Sequence, residues 1–116
     1  MTRVLPHLDG KLDGMAMRVP IPNGSITDFT VSLKKKDVTV ADVNSLFKDA
    51  ASHHLRGVLE YSEEPLVSSD IIGNPHSSIF DADSTKVIDG MVKVVSWYDN
   101  EWGYSNRMID VIKLIS

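Results

Sequence analysis

Read as a strand, Met91-Val92-Lys93-Val94-Val95-Ser96-Trp97-Tyr98 is apolar on both faces, a pattern that fits only the middle of a covered sheet. Four residues further on the period changes. From about Trp102 to Ile115, Tyr104, Met108, Val111, Ile112 and Ile115 share one face at helical spacing. A central strand running into an amphipathic helix requires partner strands, and 116 residues supply them for one small domain.

Glycines and prolines divide the rest into short segments. In Gly14–Pro20, Met15, Met17 and Val19 alternate with Ala16 and Arg18, which predicts a strand with Arg18 facing away from the methionines. The Ile21-Pro22-Asn23-Gly24 turn follows, then a strand over Thr27–Leu33 with Phe29, Val31 and Leu33 on one face. Lys34-Lys35-Lys36-Asp37 is a solvated loop. Thr39-Val40-Ala41-Asp42 has the spacing of a capping box, and Val43, Leu46, Phe47 and Ala50 form the apolar stripe of the helix it opens. Leu55-Arg56-Gly57 closes that helix, with His53 and His54 in its last turn. Short strands are predicted over Val58–Tyr61, Leu66–Ile72, Ser78–Ala82 and Thr85–Ile88. The result is an α+β fold: a mixed, largely antiparallel sheet with helices packed on one side.

Composition excludes several kinds of function. Twelve basic against sixteen acidic residues give a net charge of −4, which offers no field for nucleic acid or an anionic membrane. There is no cysteine, hence no disulfide, thiolate zinc site or cysteine nucleophile. No apolar run reaches the roughly 18 residues of a membrane span, and Met1–His7 lacks a secretory h-region. A cytoplasmic location is expected.

Motifs narrow the chemistry further. The seven glycines never form G-x-G-x-x-G, and Gly10-Lys11-Leu12 lacks the rest of a P-loop, so a nucleotide needs another domain for its phosphates. His7, His53, His54 and His76 have no metal-ligand spacing. Asn23-Gly24-Ser25 matches a glycosylation sequon but reads as a turn. Arg18 either pairs with a carboxylate or binds an anion through its planar guanidinium. The dense run Trp97-Tyr98-Asp99-Asn100-Glu101-Trp102-Gly103-Tyr104-Ser105-Asn106-Arg107 admits two readings. In one, Asn100 caps the helix, Glu101 complements its dipole and the aromatics are core. In the other, amides and carboxylates gather at a strand end to meet a ligand.

That run closely resembles the C-terminal motif of phosphorylating glyceraldehyde-3-phosphate dehydrogenases. Gly10-Lys11-Leu12-Asp13-Gly14-Met15-Ala16-Met17-Arg18-Val19-Pro20 resembles a second block of the family, and Glu63–Ser68 and His76-Ser77-Ser78 fit between the two. The resemblance spans Val4 to Ser116. It implies that residues 1–116 are the C-terminal part of the catalytic domain, without the nicotinamide-binding domain and without the segment carrying the nucleophilic cysteine and its histidine. It further implies an enzyme oxidising glyceraldehyde 3-phosphate with NAD and inorganic phosphate to 1,3-bisphosphoglycerate, as a cytoplasmic homotetramer. Erythrose-4-phosphate dehydrogenase is the close alternative, and a non-catalytic, self-associating module the distant one. By the resemblance Arg18 binds the substrate phosphate. Asn100 orients the nicotinamide carboxamide, Tyr104 packs beside the ring, and Glu101 neighbours it. No catalytic nucleophile, general base or metal ligand is implied within the chain. One departure stands out: Gly24 occupies a position where the family usually has an apolar β-branched residue, which is expected to loosen the start of the second strand.

Overall fold

The computed structural model describes residues 4–116; the expectation for the leader-free N-terminus therefore lies partly outside the described residues. After a 3-10 turn at Pro6–Leu8, the elements are β1 (Ser25–Ser32), α1 (Val40–Ser52), β2 (Leu59–Ser62), α2 (Ser68–Ile71), β3 (Ser78–Ile88), β4 (Met91–Tyr98) and α3 (Trp102–Ile115). The strands form one sheet in the order β1-β4-β3-β2. β4 pairs antiparallel with β1 and β3, while β2 runs parallel to β3. The mixed, mostly antiparallel sheet with helices is the expected α+β architecture, and β4 is central as its double-faced apolar pattern requires.

The β3–β4 hairpin turns on Asp89-Gly90, both with positive φ (50° and 73°). Ile88 pairs with Met91 across it. This is the two-residue connection whose twist matches that of the strands, and Asp-Gly suits it because neither residue resists the left-handed region strongly. The two predicted segments Ser78–Ala82 and Thr85–Ile88 are one strand, interrupted by a register shift between Asp81 and Lys86. There the Asp81 carboxylate accepts the Ser84 N–H (3.1 Å), and Asn44 of α1 donates to the Ala82 carbonyl (3.1 Å).

α1 begins as its residues dictate. Thr39 Oγ1 accepts the Asp42 N–H (3.2 Å) and Asp42 Oδ2 accepts the Thr39 N–H (2.9 Å), satisfying two helix-end donors reciprocally. The Thr39 hydroxyl and N–H hold the Asp42 carboxyl below its ordinary pKa. Val43 is buried, and Phe47, Ala50 and Ala51 pack against the cluster of Val43, Leu59, Phe80, Ala82 and Val92. Leu46 was expected in this stripe but is 71% exposed, because the helix turns its Val43–Phe47–Ala50–Ala51 side to the sheet. The helix also ends earlier than predicted, at Ser52, with His53 as its cap. His53 and His54 thus follow the helix, and Gly57 (φ 77°) belongs to the turn into β2.

Two predicted strands do not form. Leu66–Ile72 contains α2, whose first turn is closed by Asp70 Oδ2 accepting the Val67 N–H (2.8 Å); Ile71 is buried. Gly14–Pro20 forms no strand and is unpaired, with Met15 and Met17 84% and 80% exposed. Alternation alone does not make a strand when no described neighbour offers a hydrogen-bonding edge. β1 does form, and starts two residues earlier than predicted. With φ 93° and a Cβ position only 3.2 Å from the Ser68 carbonyl oxygen, the buried Gly24 turns the chain into the strand where a side chain would be strained, and β1 pairs with β4 from Ser25 onward.

Candidate functional site

β4 ends and α3 begins at one buried carboxylate. Asp99 Oδ1 accepts the N–H groups of Glu101 (2.9 Å) and Trp102 (2.8 Å), which lie at the open N-terminus of α3. Its Oδ2 accepts the Asn23 side-chain amide (3.0 Å) and the Gly73 N–H (2.9 Å). Four donors from three separated segments therefore converge on one side chain. The hydrogen bond from Trp102, then that from Gly73, hold the Asp99 pKa down at about 2 against the opposing effect of burial. One of the two sequence readings gave the capping role to Asn100. In the structure the cap position is Glu101, and the N–H groups of Glu101 and Trp102 are held by Asp99, which sits one residue before Asn100 and is buried, whereas Asn100 is exposed.

Released from capping, Asn100 turns to β1, where Ser25 Oγ donates to its Oδ1 at 2.5 Å. Ser25 is paired with Tyr98, the last residue of β4, so the strand register places its hydroxyl beside the chain reversal. Glu101 and Tyr104 are exposed on the first turn of α3. The three residues expected to meet a nicotinamide thus lie together at the β4–α3 junction. Their chemistry fits such a group: an amide NH₂ with no acceptor among the described residues, a carboxylate for a cationic ring, and an open aromatic surface.

Arg18 is not brought to this cluster by any described contact. It lies in the exposed Gly14–Pro20 segment, and its guanidinium makes no hydrogen bond or ion pair with another described residue. The carboxylate-pairing reading of Arg18 therefore has no partner here, whereas the anion-binding reading needs none within the chain.

α3 is fastened at its start. Gly103 is buried so closely that a Cβ there would lie 2.7 Å from the His76 carbonyl oxygen. Arg107 Nη1 donates to the Gly57 carbonyl (2.9 Å), while Nη2 pairs with Asp110 (2.9 Å). The apolar stripe of α3 is nevertheless uncovered by described residues along its length, from Tyr104 (67% exposed) to Ile115 (78% exposed). His76 is structural, with Nδ1 2.9 Å from both Glu60 Oε2 and Asn74 Oδ1. A shallow cleft of about 320 Å³ between α1 and β2 is lined by Lys48, Arg56, Tyr61 and His76 among others. It contains none of the expected site residues, and Lys48 and His76 are already paired with Glu63 and Glu60. Among the described residues no cluster of three metal-ligating side chains occurs, and no helix is long and apolar enough to cross a membrane.

Asp99, Asn23 and Ser25 were missed as site-building residues. The signal for Asp99 was local, since an Asp side chain readily accepts the backbone N–H two residues on, but Asn100 beside it is an equally good acceptor by residue type.

Comparison with known proteins bears on the same stretch. The family described as glyceraldehyde 3-phosphate dehydrogenase, C-terminal domain, matches residues 1–100. The glyceraldehyde-3-phosphate dehydrogenase of Mycobacterium avium is 61% identical over 112 residues, covering 97% of this chain and 33% of the relative. That of Mycobacterium leprae is 59% identical over the same length and shares. The enzyme of Haloarcula vallismortis is 57% identical over 115 residues, 99% of this chain and 34% of its own. The chain spans about a third of the length of these relatives.

Proposed function

The chain belongs to the family of glyceraldehyde 3-phosphate dehydrogenase C-terminal domains, and from that premise we propose that it serves a cytoplasmic, homotetrameric enzyme oxidising glyceraldehyde 3-phosphate with NAD and inorganic phosphate to 1,3-bisphosphoglycerate. The observation that carries this reading is the exposed Asn100 amide, held between Ser25 and the residue that accepts the Trp102 N–H. NAD, when bound, supplies the hydride acceptor. The residues of this chain bind and orient. Asn100 Nδ2 donates to the carboxamide oxygen of the nicotinamide. Tyr104 flanks the ring, and the Glu101 carboxylate favours its positive charge. Arg18 takes the substrate phosphate through two parallel N–H···O bonds. Such positioning raises a rate only when the reacting groups are present. With no cysteine in the sequence, the thiolate and its histidine belong to a preceding segment, as do the main nucleotide contacts. The 116 residues alone therefore give no turnover.

The test uses a full-length dehydrogenase in which these residues replace the matching third of the Mycobacterium avium relative. Arg18→Ala removes a charged, bidentate contact and is expected to raise KM for glyceraldehyde 3-phosphate about 10- to 100-fold with little change in KM for NAD. Asn100→Ala is expected to do the reverse. An Arg18 variant with unchanged substrate KM, or a parent enzyme that prefers erythrose 4-phosphate, overturns the assignment.

A second reading concerns the isolated chain. Gly14–Pro20 and α3 leave large apolar side chains in water, among them Met15, Met17, Met108, Ile112 and Ile115, and exposed apolar faces of this kind favour association. Taken alone, the chain is expected to self-associate. Sedimentation velocity from micromolar to near-millimolar concentration checks this, and a single monomeric boundary throughout contradicts it.

A further inference from the structure

Among the described residues, the Asn100 side chain has one polar contact, and that contact carries directional information. An amide presents an oxygen on one side and an NH₂ on the other, and the two are interchanged by a half-turn about the last side-chain bond. A hydroxyl partner can donate to the oxygen or accept from the NH₂, so the atom left facing outward is set by which of these two bonds is made. Here the inner partner is the Ser25 hydroxyl at 2.5 Å. The hydroxyl donates to Oδ1, which leaves the NH₂ as the outer group.

Ser25 is itself fixed from two directions. Its backbone pairs with Tyr98 at the end of β4. The preceding turn is tied down by Asn23, whose amide reaches Asp99 Oδ2. The same carboxylate holds the backbone N–H groups just beyond Asn100. Donor and acceptor strands thus end on a common anchor, which keeps the hydroxyl and the amide at a constant separation.

The geometry points to Ser25 as a positioning residue that sets the Asn100 amide with its NH₂ outward, selecting a ligand with a carbonyl oxygen at that place. This rests on the assignment of Asn100 to the nicotinamide carboxamide, and it adds the group that decides which end of the carboxamide is read. Without the Ser25 hydroxyl, both amide orientations are open and part of the binding free energy goes into choosing one.

Two measurements test it. In the 116-residue chain, the side-chain NH₂ resonances of Asn100 are followed by NMR. Ser25→Ala is expected to shift them and lower their order parameter, while Ser25→Thr, which keeps a hydroxyl on the strand, restores both; unmoved resonances in Ser25→Ala overturn the proposal. In the full-length hybrid, affinities for NAD and for ADP-ribose, which lacks the nicotinamide ring, are compared by calorimetry. Ser25→Ala is expected to weaken NAD about fivefold, the loss of one ordinary hydrogen bond, and to leave ADP-ribose unchanged. Equal weakening of both, or of neither, overturns it. If Asn100→Ala leaves NAD affinity unaltered, the nicotinamide assignment itself fails, and the NMR result still decides whether Ser25 orients the amide.

Discussion

Replacing Asp99 by asparagine is expected to destabilise the chain by on the order of 3 kcal/mol at neutral pH, although the two side chains have the same shape. The reason is the sign of the partners. All four groups around the carboxylate are donors: the Asn23 amide, and the N–H groups of Gly73, Glu101 and Trp102. An asparagine oxygen can still accept from two of them. Its NH₂ then faces the other two donors, and both lose their acceptor within a buried site. The pH dependence gives an independent check. The Asp99 pKa falls from 3.8 to about 2 on folding. A carboxyl depressed in this way contributes stability that is fully present above its unfolded value. That contribution is lost as pH falls from about 4 through about 2, and by linkage it amounts to on the order of 2 kcal/mol. Urea midpoints measured from pH 7 to pH 2 should therefore show the wild-type chain and Asp99→Asn converging at the acid end. A constant gap, or none at pH 7, contradicts the role assigned to this side chain.

Much of the fold was legible because its signals are local. The limits of β4 and α3 coincide with those read from the sequence, since a double-faced apolar run and a helical stripe are separated by only a few polar residues. The start of α1 was legible for the same reason: Thr39 and Asp42 satisfy each other's backbone within a single turn. Asp89-Gly90 was an equally local signal for a tight hairpin, and it went unread between two segments treated as separate strands. What was not legible depends on neighbours. Gly14–Pro20 alternates as well as many strands do, but a strand is a pairing, and no described segment pairs with it. Leu66–Ile72 is apolar enough for a strand, yet Ser68, Ser69 and Asp70 compete for the backbone and close a helical turn instead.

The site divides along the same line. Residue types and the family resemblance brought forward Asn100, Glu101 and Tyr104, which the chain places on consecutive turns of one junction. They could not bring forward Ser25 and Asn23, which lie 75 and 76 residues from their partners Asn100 and Asp99 and meet them only because β1 pairs with β4. Nor could they choose between Asp99 and Asn100 as the acceptor at the start of α3. That choice is made by burial, and burial is a property of the assembled sheet.

Phe80→Ala is the companion test, aimed at the opposite part of the molecule. Phe80 is fully buried on β3, stacks on Phe47 with 4.0 Å between ring centroids, and lies 5.8 Å from the Tyr61 ring. Truncation leaves a cavity between α1 and the sheet that the flanking rings cannot fill, and a loss of about 3–5 kcal/mol is expected. A domain of this size is ordinarily stable by only about 5–15 kcal/mol, so the variant should be largely unfolded at moderate urea or slightly raised temperature. Phe80→Leu, which keeps most of the volume, should lose about 1.5 kcal/mol or less. An alanine variant as stable as wild type would mean that α1 is not seated on the sheet through this residue. The two large effects also differ in kind. The Phe80 loss comes from missing contacts and carries no charge, so it should be the same at pH 7 and at pH 2. The Asp99 loss should fade over that interval, and this contrast separates a chain weakened in its core from one whose β4–α3 junction has been undone.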